Sequence, residues 1–203
     1  MKHPDFYTKV KTIHLIDPLS DMLGAFDKGL IEISYLDVVK SAGHSCATVS
    51  GAYLSTLKAL AFLFPGGPAI RGGIKVEFKE AEETAVTGVI ANVVENITGA
   101  TAVRGFKGIG GNFARHSLMS FNAKIEGDMK FTRTDTGASC ELIYDSQLIP
   151  PHPKQGELMQ KIMQNQASEN EISEFKEIWQ NRVKLILIDN FDNPELVKFI
   201  NPV

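Results

Sequence analysis

The sequence predicts an α+β protein in which a mixed, largely antiparallel sheet packs against long helices. Over residues 47–64, apolar residues recur at three- and four-residue steps, which is the spacing of one helix face. Over residues 74–78, apolar and charged residues alternate, which is typical of a strand with one buried face. With 203 residues, 43% of them hydrophobic, the chain is long enough to bury one core.

One short helical turn and two long helices are predicted in the first half of the chain. A short turn at Asp37 to Lys40 leads to Gly43, and the first long helix then runs from Ala47 to Phe64. Small residues fill its first turns and allow another backbone to approach closely, and a Pro-Gly-Gly-Pro sequence ends it. A second helix is predicted over residues 84–98, and Gly99 stands at the position of a C-cap glycine.

Strands are predicted on both sides of a glycine-rich segment. The first covers Thr101 to Phe106, and the others cover Ser117 to Ala123, Met129 to Thr134 and Ser139 to Tyr144. Asp135-Thr136-Gly137 joins the last two strands and is a turn sequence between alternating segments. The last two strands are therefore expected to form an antiparallel hairpin.

A helical extension, residues 151–203, is predicted to follow a core domain that spans residues 1–150. Three prolines at positions 150, 151 and 153 remove backbone donors and impose extended geometry, which indicates a linker. Beyond it, Ser168 followed by Glu171 has the pattern of a capping box at the start of a helix. Apolar residues then recur along one face of this helix.

Composition excludes several classes of partner. A net charge of −3 gives no positive field to attract nucleic acid or an anionic membrane. The chain has no run of about 18 apolar residues and no signal-peptide pattern at its N-terminus. The two cysteines, Cys46 and Cys140, are too few for a disulfide framework, and no CxxC pair is present for a zinc finger. We therefore expect a cytoplasmic protein that binds neither nucleic acid nor membrane.

The first candidate site is the pair His44 and Cys46, at the predicted start of the first long helix. Unpaired N–H groups and the positive end of the helix dipole favour a thiolate there. Thiolate and imidazole together select zinc, nickel, cobalt or iron over magnesium and calcium. A catalytic zinc takes about three protein ligands, and the sequence leaves the remaining ligand open among Glu83, Cys140, His116 and His14. The alternative is that Cys46 is a packing residue, since free cysteine is often buried.

The second candidate site is the glycine-rich segment that ends at His116. Gly110, Gly111 and Asn112 let backbone N–H groups turn toward an anion, and Arg115 offers two parallel hydrogen bonds to a carboxylate or phosphate. With His116, these residues form a predicted substrate-binding loop. The segment is not a dinucleotide fingerprint, because no helix follows the glycines directly. The alternative is a turn between two strands with a solvated arginine.

Several segments together resemble the FmdE-like family, which takes its name from a component of formylmethanofuran dehydrogenase. They are AGHSCATVSGAYLSTLKAL, the strand and helix after it, the loop GFKGIGGNFARHSL, the hairpin FTRTDTGASCELIY and the late helix FKEIWQNRVKLIL. Gly43-His44-x-Cys46 is similar to the family's glycine-histidine-x-cysteine signature, within a match from Ile31 to Ile188. The resemblance implies an α+β core, a bound Zn²⁺, Ni²⁺ or Fe²⁺ near the His-Cys pair, and a homodimer. It also implies an association with molybdenum or tungsten enzymes of one-carbon metabolism.

The sequence departs from the family pattern near the candidate site. Ala47-Thr48 stands where the family continues with Pro-Gly, and Glu83-Thr84 stands where a second cysteine commonly opens the next helix. The C-terminal zinc finger of some members needs cysteines that this chain lacks after Cys140. A ligand that the family uses is therefore missing or replaced.

Three functions are compatible with these residues. The leading hypothesis is a metal-binding protein in which His44 and Cys46 hold the ion and act on a small one-carbon or anionic substrate. One alternative is a noncatalytic metal- or cofactor-binding accessory of a molybdenum or tungsten redox enzyme. The other is a metal-free protein whose Cys46 is a redox or nucleophilic thiol.

Overall fold

The computed structural model describes residues 2–200 and confirms the α+β class, with two mixed sheets and six helices in that range. The helices are Pro18–Met22 (α1), Tyr35–Ala42 (α2), Ala47–Leu63 (α3), Thr87–Thr98 (α4), Gln155–Met163 (α5) and Glu169–Lys184 (α6). The strands are Ile13–Ile16 (β1), Leu30–Ile33 (β2), Ala69–Ile70 (β3), Ile74–Phe78 (β4), Met119–Ser120 (β5), Met129–Arg133 (β6), Ser139–Tyr144 (β7) and Val197–Ile200 (β8). No helix within residues 2–200 combines the length and the apolar character that a bilayer crossing needs. Residue 1 of the predicted core and residues 201–203 of the predicted extension lie outside the described range.

The larger sheet has the strand order β5-β4-β6-β7-β8. Its neighbouring strands are antiparallel except for β4 and β5, which are parallel. On β4, Ile74, Val76 and Phe78 are buried on one face, as the alternating pattern predicts. The smaller sheet has the order β2-β1-β3, in which β1 is antiparallel to β2 and parallel to β3.

Helix α3 lies at the centre of the core, in contact with α2, α4 and the larger sheet. Eleven of its 17 residues are buried, as expected for a helix that packs on several sides. The sequence predicts that another backbone approaches the small residues of its first turns. In the structure, an aromatic ring packs there instead. A Cβ at Gly51 would overlap Cε1 of Tyr144 on β7.

Three predicted elements differ from the structure. The strand predicted from Thr101 to Phe106 is wrong: this segment is a turn with no buried face, and Val103 and Phe106 are exposed. The strand predicted from Ser117 to Ala123 is reduced to β5. Helix α4 begins at Thr87 rather than at residue 84, because residues 82–86 form turns in which Ala85 has φ of +48°.

The segment after residue 150 forms the predicted helices and also a strand. At the start of α6, Ser168 N donates to the Glu171 carboxylate at 2.8 Å and the Ser168 side chain accepts from Glu171 N, which confirms the predicted capping box. Strand β8 then pairs with β7 and completes the larger sheet. Leu196 and Ile186 belong to the same buried cluster as the core before residue 150. The described part of the predicted extension therefore packs as part of that core.

Candidate functional site

His44 and Cys46 lie in the link between α2 and α3. Gly43 ends α2 in the left-handed conformation, and its N–H donates to Val39 O at 2.9 Å. Cys46 is the N-cap of α3, and its Sγ accepts a hydrogen bond from Val49 N at 3.4 Å. The thiol therefore contacts the amide end of a long helix.

Ser45, in the link between α2 and α3, is held by hydrogen bonds to side chains of α2 and α6. Its hydroxyl lies 2.8 Å from Tyr35 Oη and donates to Gln180 Oε1 at 3.3 Å. Its carbonyl accepts from Trp179 Nε1 at 2.8 Å. Burial raises the pKa of Tyr35, so the phenol stays neutral in this network. Because these contacts hold residue 45 from two sides, they also fix the position of Cys46.

A cavity of about 420 Å³ opens beside Cys46, between the start of α3, the turn before α4 and the two late helices. Its polar lining residues are His44, Cys46, Thr48, Gln155, Trp179 and Arg182. Apolar side chains, Val86 and Val89 among them, complete the wall. Both members of the predicted His-Cys pair therefore line one cavity, together with residues that lie more than 100 positions away in the sequence.

Arg182 is the basic residue of this cavity. Its Nε donates to Ile149 O at 2.7 Å and its Nη2 donates to Ser146 O at 3.1 Å, so the side chain is held in place by two carbonyls. Within residues 2–200 it forms no ion pair with a carboxylate. A small anion in the cavity would balance this charge. Arg182 was not predicted from the sequence, although it follows Trp179 by three positions and therefore shares its helix face.

The side-chain oxygen of Gln155 is a hydrogen-bond acceptor that no described residue satisfies. Its Oε1 is shielded from solvent, and no described residue donates a hydrogen bond to it. Leaving a buried polar atom unpaired costs about 1–3 kcal/mol. A ligand hydroxyl or N–H group in the cavity would supply the missing hydrogen bond.

His44 is exposed and presents one free ring nitrogen. Its Nδ1 lies 3.1 Å from Ala42 O, and because a carbonyl can only accept, Nδ1 carries the proton. In the neutral ring, Nε2 then keeps its lone pair, which is the arrangement that metal-binding histidines use. His44 also faces a separate space of about 380 Å³ between α2 and α4, away from Cys46.

The metal donors of one chain are incomplete. Residues 2–200 contain no group of three or more His, Cys, Asp or Glu side chains that could hold a metal ion. The four candidates for a further ligand do not line the cavity of Cys46: Glu83, Cys140, His116 and His14. Cys140 is buried on β7, where desolvation raises the pKa of its thiol to about 12. His44 and Cys46 thus fit zinc by donor type, but a catalytic zinc takes about three protein ligands.

The glycine-rich loop lies outside this cavity. None of the predicted substrate-binding residues lines it: Gly110, Gly111, Asn112, Arg115 and His116. Gly110 and Gly111 have positive φ, as their sequence context predicts, and the loop closes on itself through a bridge between Ile109 and Asn112. The contact of the His116 ring is local, since its Nδ1 lies 3.0 Å from the hydroxyl of the next residue.

Arg115 binds a carboxylate of its own chain. Its Nη2 donates to Asp17 Oδ1 at 2.6 Å, and Arg71 Nη1 donates to the other carboxylate oxygen at 3.0 Å. Gly72 leaves room for the guanidinium, because a Cβ there would overlap Arg115 Nη1. The clamp that the sequence predicts for a substrate anion is therefore made to Asp17, and Arg182 is the arginine that lines the cavity.

No family model, curated protein or solved structure matches this chain. The resemblance to the FmdE-like family therefore stays a prediction that rests on the segments that carry it.

Proposed function

We propose that the protein binds a small anionic substrate in the cavity beside Cys46 and acts on it with a transition metal ion held by His44 and Cys46, with zinc as the first candidate. The observation that carries the proposal is Arg182, a partly buried cation that lines the same cavity as the thiol and has no carboxylate partner in the described range. An anion between this guanidinium and the amide end of α3 would be attracted by both.

The residues of the cavity have separable roles in this proposal. The metal ion, when bound, supplies Lewis-acid polarisation of a substrate oxygen or activation of a water molecule. Arg182 orients the anionic group of the substrate, and Gln155 accepts a hydrogen bond from a substrate hydroxyl or N–H. Val89 and the ring of Trp179 supply apolar surface on the wall of the cavity.

A second copy of the chain is proposed to complete the metal site. One chain offers two donors, and a two-fold pair would add a further donor from the partner. Because His44 is exposed, a second copy can reach it. Light scattering tests this step: we expect a zinc-dependent dimer in the wild type and a monomer for His44→Ala. A monomer that still binds zinc tightly would show that one chain is sufficient.

Calorimetric titration of Zn²⁺ into metal-free protein tests the metal site. Removing a residue that merely supports a metal ligand costs about 10- to 100-fold in affinity, so His44→Ala and Cys46→Ser should each cost at least that. Serine retains the N-cap function, so Cys46→Ser is expected to fold. His116→Ala is the control and should leave the affinity unchanged. Equal affinities in all four proteins would reject the assignment.

The fluorescence of Trp179 tests the anion site, because it is the single tryptophan of the sequence and lines the cavity. Saturable quenching by acetate is expected in the wild type. Loss of a charged hydrogen-bond donor costs about 1.5–3 kcal/mol, so Arg182→Gln should raise the Kd for acetate by about tenfold or more. Arg104→Gln, which replaces an exposed arginine, is the control. An unchanged Kd in Arg182→Gln would reject the anion site.

A metal-free thiol is the second candidate function. It is favoured by the absence of a third metal ligand from residues 2–200, together with the contact between Cys46 Sγ and Val49 N. In this case the Cys46 thiol is itself the nucleophilic or redox-active group. Purified protein that contains no metal and reacts rapidly with iodoacetamide would favour this candidate. An accessory role beside a molybdenum or tungsten enzyme rests on the resemblance alone.

A further inference from the structure

A second cavity of about 270 Å³ adjoins the one beside Cys46. Thr48 and Val86 line both cavities, which therefore lie side by side along the first turns of α3 and are together called the groove. The deeper wall of the second cavity is apolar and is formed by Gly51, Ala52, Phe78, Ile90 and Met129. Apolar lining of this kind gains free energy when it covers a hydrocarbon chain.

The shape of the second cavity is fixed by Tyr144. Its Oη donates to Ala47 O at 2.9 Å, and its ring lies against Gly51, where no side chain could be placed. The ring is therefore held between the sheet and α3 and forms a rigid side of the groove. A cavity with rigid walls binds a ligand with a smaller entropy loss than one that must first be ordered.

The two ends of the groove differ in charge. Arg182 and the amide end of α3 lie at the first cavity, whereas Glu80 and Asp128 line the second. Both carboxylates are exposed, and neither forms an ion pair within residues 2–200. A ligand with a second negative charge at its far end would be repelled by these two carboxylates.

We infer that the substrate is a monocarboxylate with an apolar chain and a hydroxyl or N–H group. Its carboxylate faces Arg182, its hydroxyl or N–H group faces Gln155, and its apolar chain lies in the second cavity. This inference rests on the anion-binding part of the proposed function and not on the metal ion. The expected substrate is therefore an amphiphilic carboxylic acid rather than a small anion of any kind.

A series of straight-chain acids tests the inference through Trp179 fluorescence. For acetate, butanoate and hexanoate, we expect the Kd to fall by up to about fourfold for each methylene that the second cavity buries. Hexanedioate has the same chain length with a second carboxylate and should bind several-fold more weakly than hexanoate. Equal Kd values along the series, or equal binding of hexanoate and hexanedioate, would overturn the inference.

A variant that fills the second cavity tests whether the hydrocarbon chain of the ligand lies there. Ile90→Phe should weaken hexanoate by more than about tenfold, since several buried methylenes are lost, with a much smaller effect on acetate. Met163→Phe makes a similar change at an exposed position and is the control. The same chain-length dependence in Ile90→Phe as in the wild type would overturn the inference.

The outcomes separate the inference from the proposed function. Acetate binding that requires Arg182 but shows no chain-length dependence would retain the anion site and overturn the inference. Chain-length dependence without any zinc affinity would retain the inference and reject the metal site. If the wild type binds none of these carboxylates, both the anion site and the inference are overturned. The wild-type series and the comparison with hexanedioate need no variant, so they decide the matter even if Ile90→Phe does not fold.

Discussion

Arg115 Nη2 donates to Asp17 Oδ1 across 2.6 Å, and both side chains are buried. The same carboxylate accepts from Arg71 and from two backbone N–H groups at the start of α1. Arg71 in turn donates to the carbonyls of Asn96 and Ile97 at the end of α4. Through these contacts, one buried carboxylate connects α1, the turn after β3, α4 and the glycine-rich segment. Its role is therefore to stabilise the fold.

Replacing Asp17 should destabilise the protein strongly. Asp17→Asn leaves two guanidinium groups without their carboxylate, and breaking a buried pair costs about 3–5 kcal/mol. Urea unfolding measures this loss. The control is Asp135→Asn, which removes an exposed carboxylate from Arg133 and should have a much smaller effect. Similar unfolding free energies for the two variants would contradict the structural role of Asp17.

Stability should depend on pH through the same carboxyl group. Burial by itself would raise the pKa of Asp17, but hydrogen bonds from Arg71 and Ser20 N, together with the charges of Arg115 and Arg71, hold the pKa below its ordinary value of 3.8. A carboxyl with a depressed folded-state pKa stabilises the fold above the unfolded-state pKa, and this contribution is lost as the pH falls through the folded-state pKa.

The unfolding free energy of the wild type is therefore expected to decrease on acidification below about pH 4. In Asp17→Asn this group no longer titrates, so the decrease over the same range should be smaller. Urea unfolding at a series of pH values measures both slopes. Parallel slopes would show that Asp17 does not contribute to the acid sensitivity.

Adding one methyl group should have opposite effects in two helices. Gly51→Ala in α3 places a Cβ against the ring of Tyr144, and overpacking of this kind costs about 1–3 kcal/mol. Gly156→Ala in α5 meets no atom within 4 Å and should stabilise the helix by about 0.5–1 kcal/mol. Thermal unfolding of both variants measures the difference. A shift of the same sign in both would contradict the packing of Tyr144 on Gly51.

The two cysteines should react at very different rates. Cys46 lines an open cavity, whereas Cys140 is 1% exposed and burial raises the pKa of its thiol to about 12. Folded protein that has been freed of metal and treated with iodoacetamide at neutral pH should therefore be modified once, at Cys46, and a second time only after unfolding. Peptide mass spectrometry locates the modification, with Cys46→Ser as the control. Early modification of Cys140 would contradict its burial.

Local patterns predicted much of the fold. The periodicity of α3, the alternation of β4 and the capping box of α6 each depend on a few neighbouring residues, and the structure agrees with all three. Strands β2, β3 and β8 were missed, because each is at most four residues long and is defined by its partner in the sheet. For β8 that partner is β7, more than 50 positions earlier. The strand predicted from Thr101 to Phe106 failed because its apolar residues have no buried face.

The candidate site also has one part that local sequence determines and another that tertiary contacts determine. The position of Cys46 at a helix start follows from local sequence, since Gly43 ends one helix and the small residues after Cys46 begin the next. The cavity itself depends on α6, where Trp179 Nε1 donates to Ser45 O across 134 positions of sequence. Such packing is set by tertiary contacts, so neither Arg182 nor Gln155 could be placed beside Cys46 from the sequence. Conversely, Arg115 has the right chemistry for a substrate anion, but its Nη2 already pairs with Asp17.

The protection of Cys46 by a bound acid tests most directly whether thiol, arginine and ligand share one cavity. The rate of iodoacetamide modification of metal-free protein would be measured with and without saturating hexanoate, in the wild type and in Arg182→Gln. We predict that hexanoate slows the reaction in the wild type and has little effect at the same concentration in Arg182→Gln. A rate that hexanoate leaves unchanged in the wild type, or lowers equally in both proteins, would contradict a shared site.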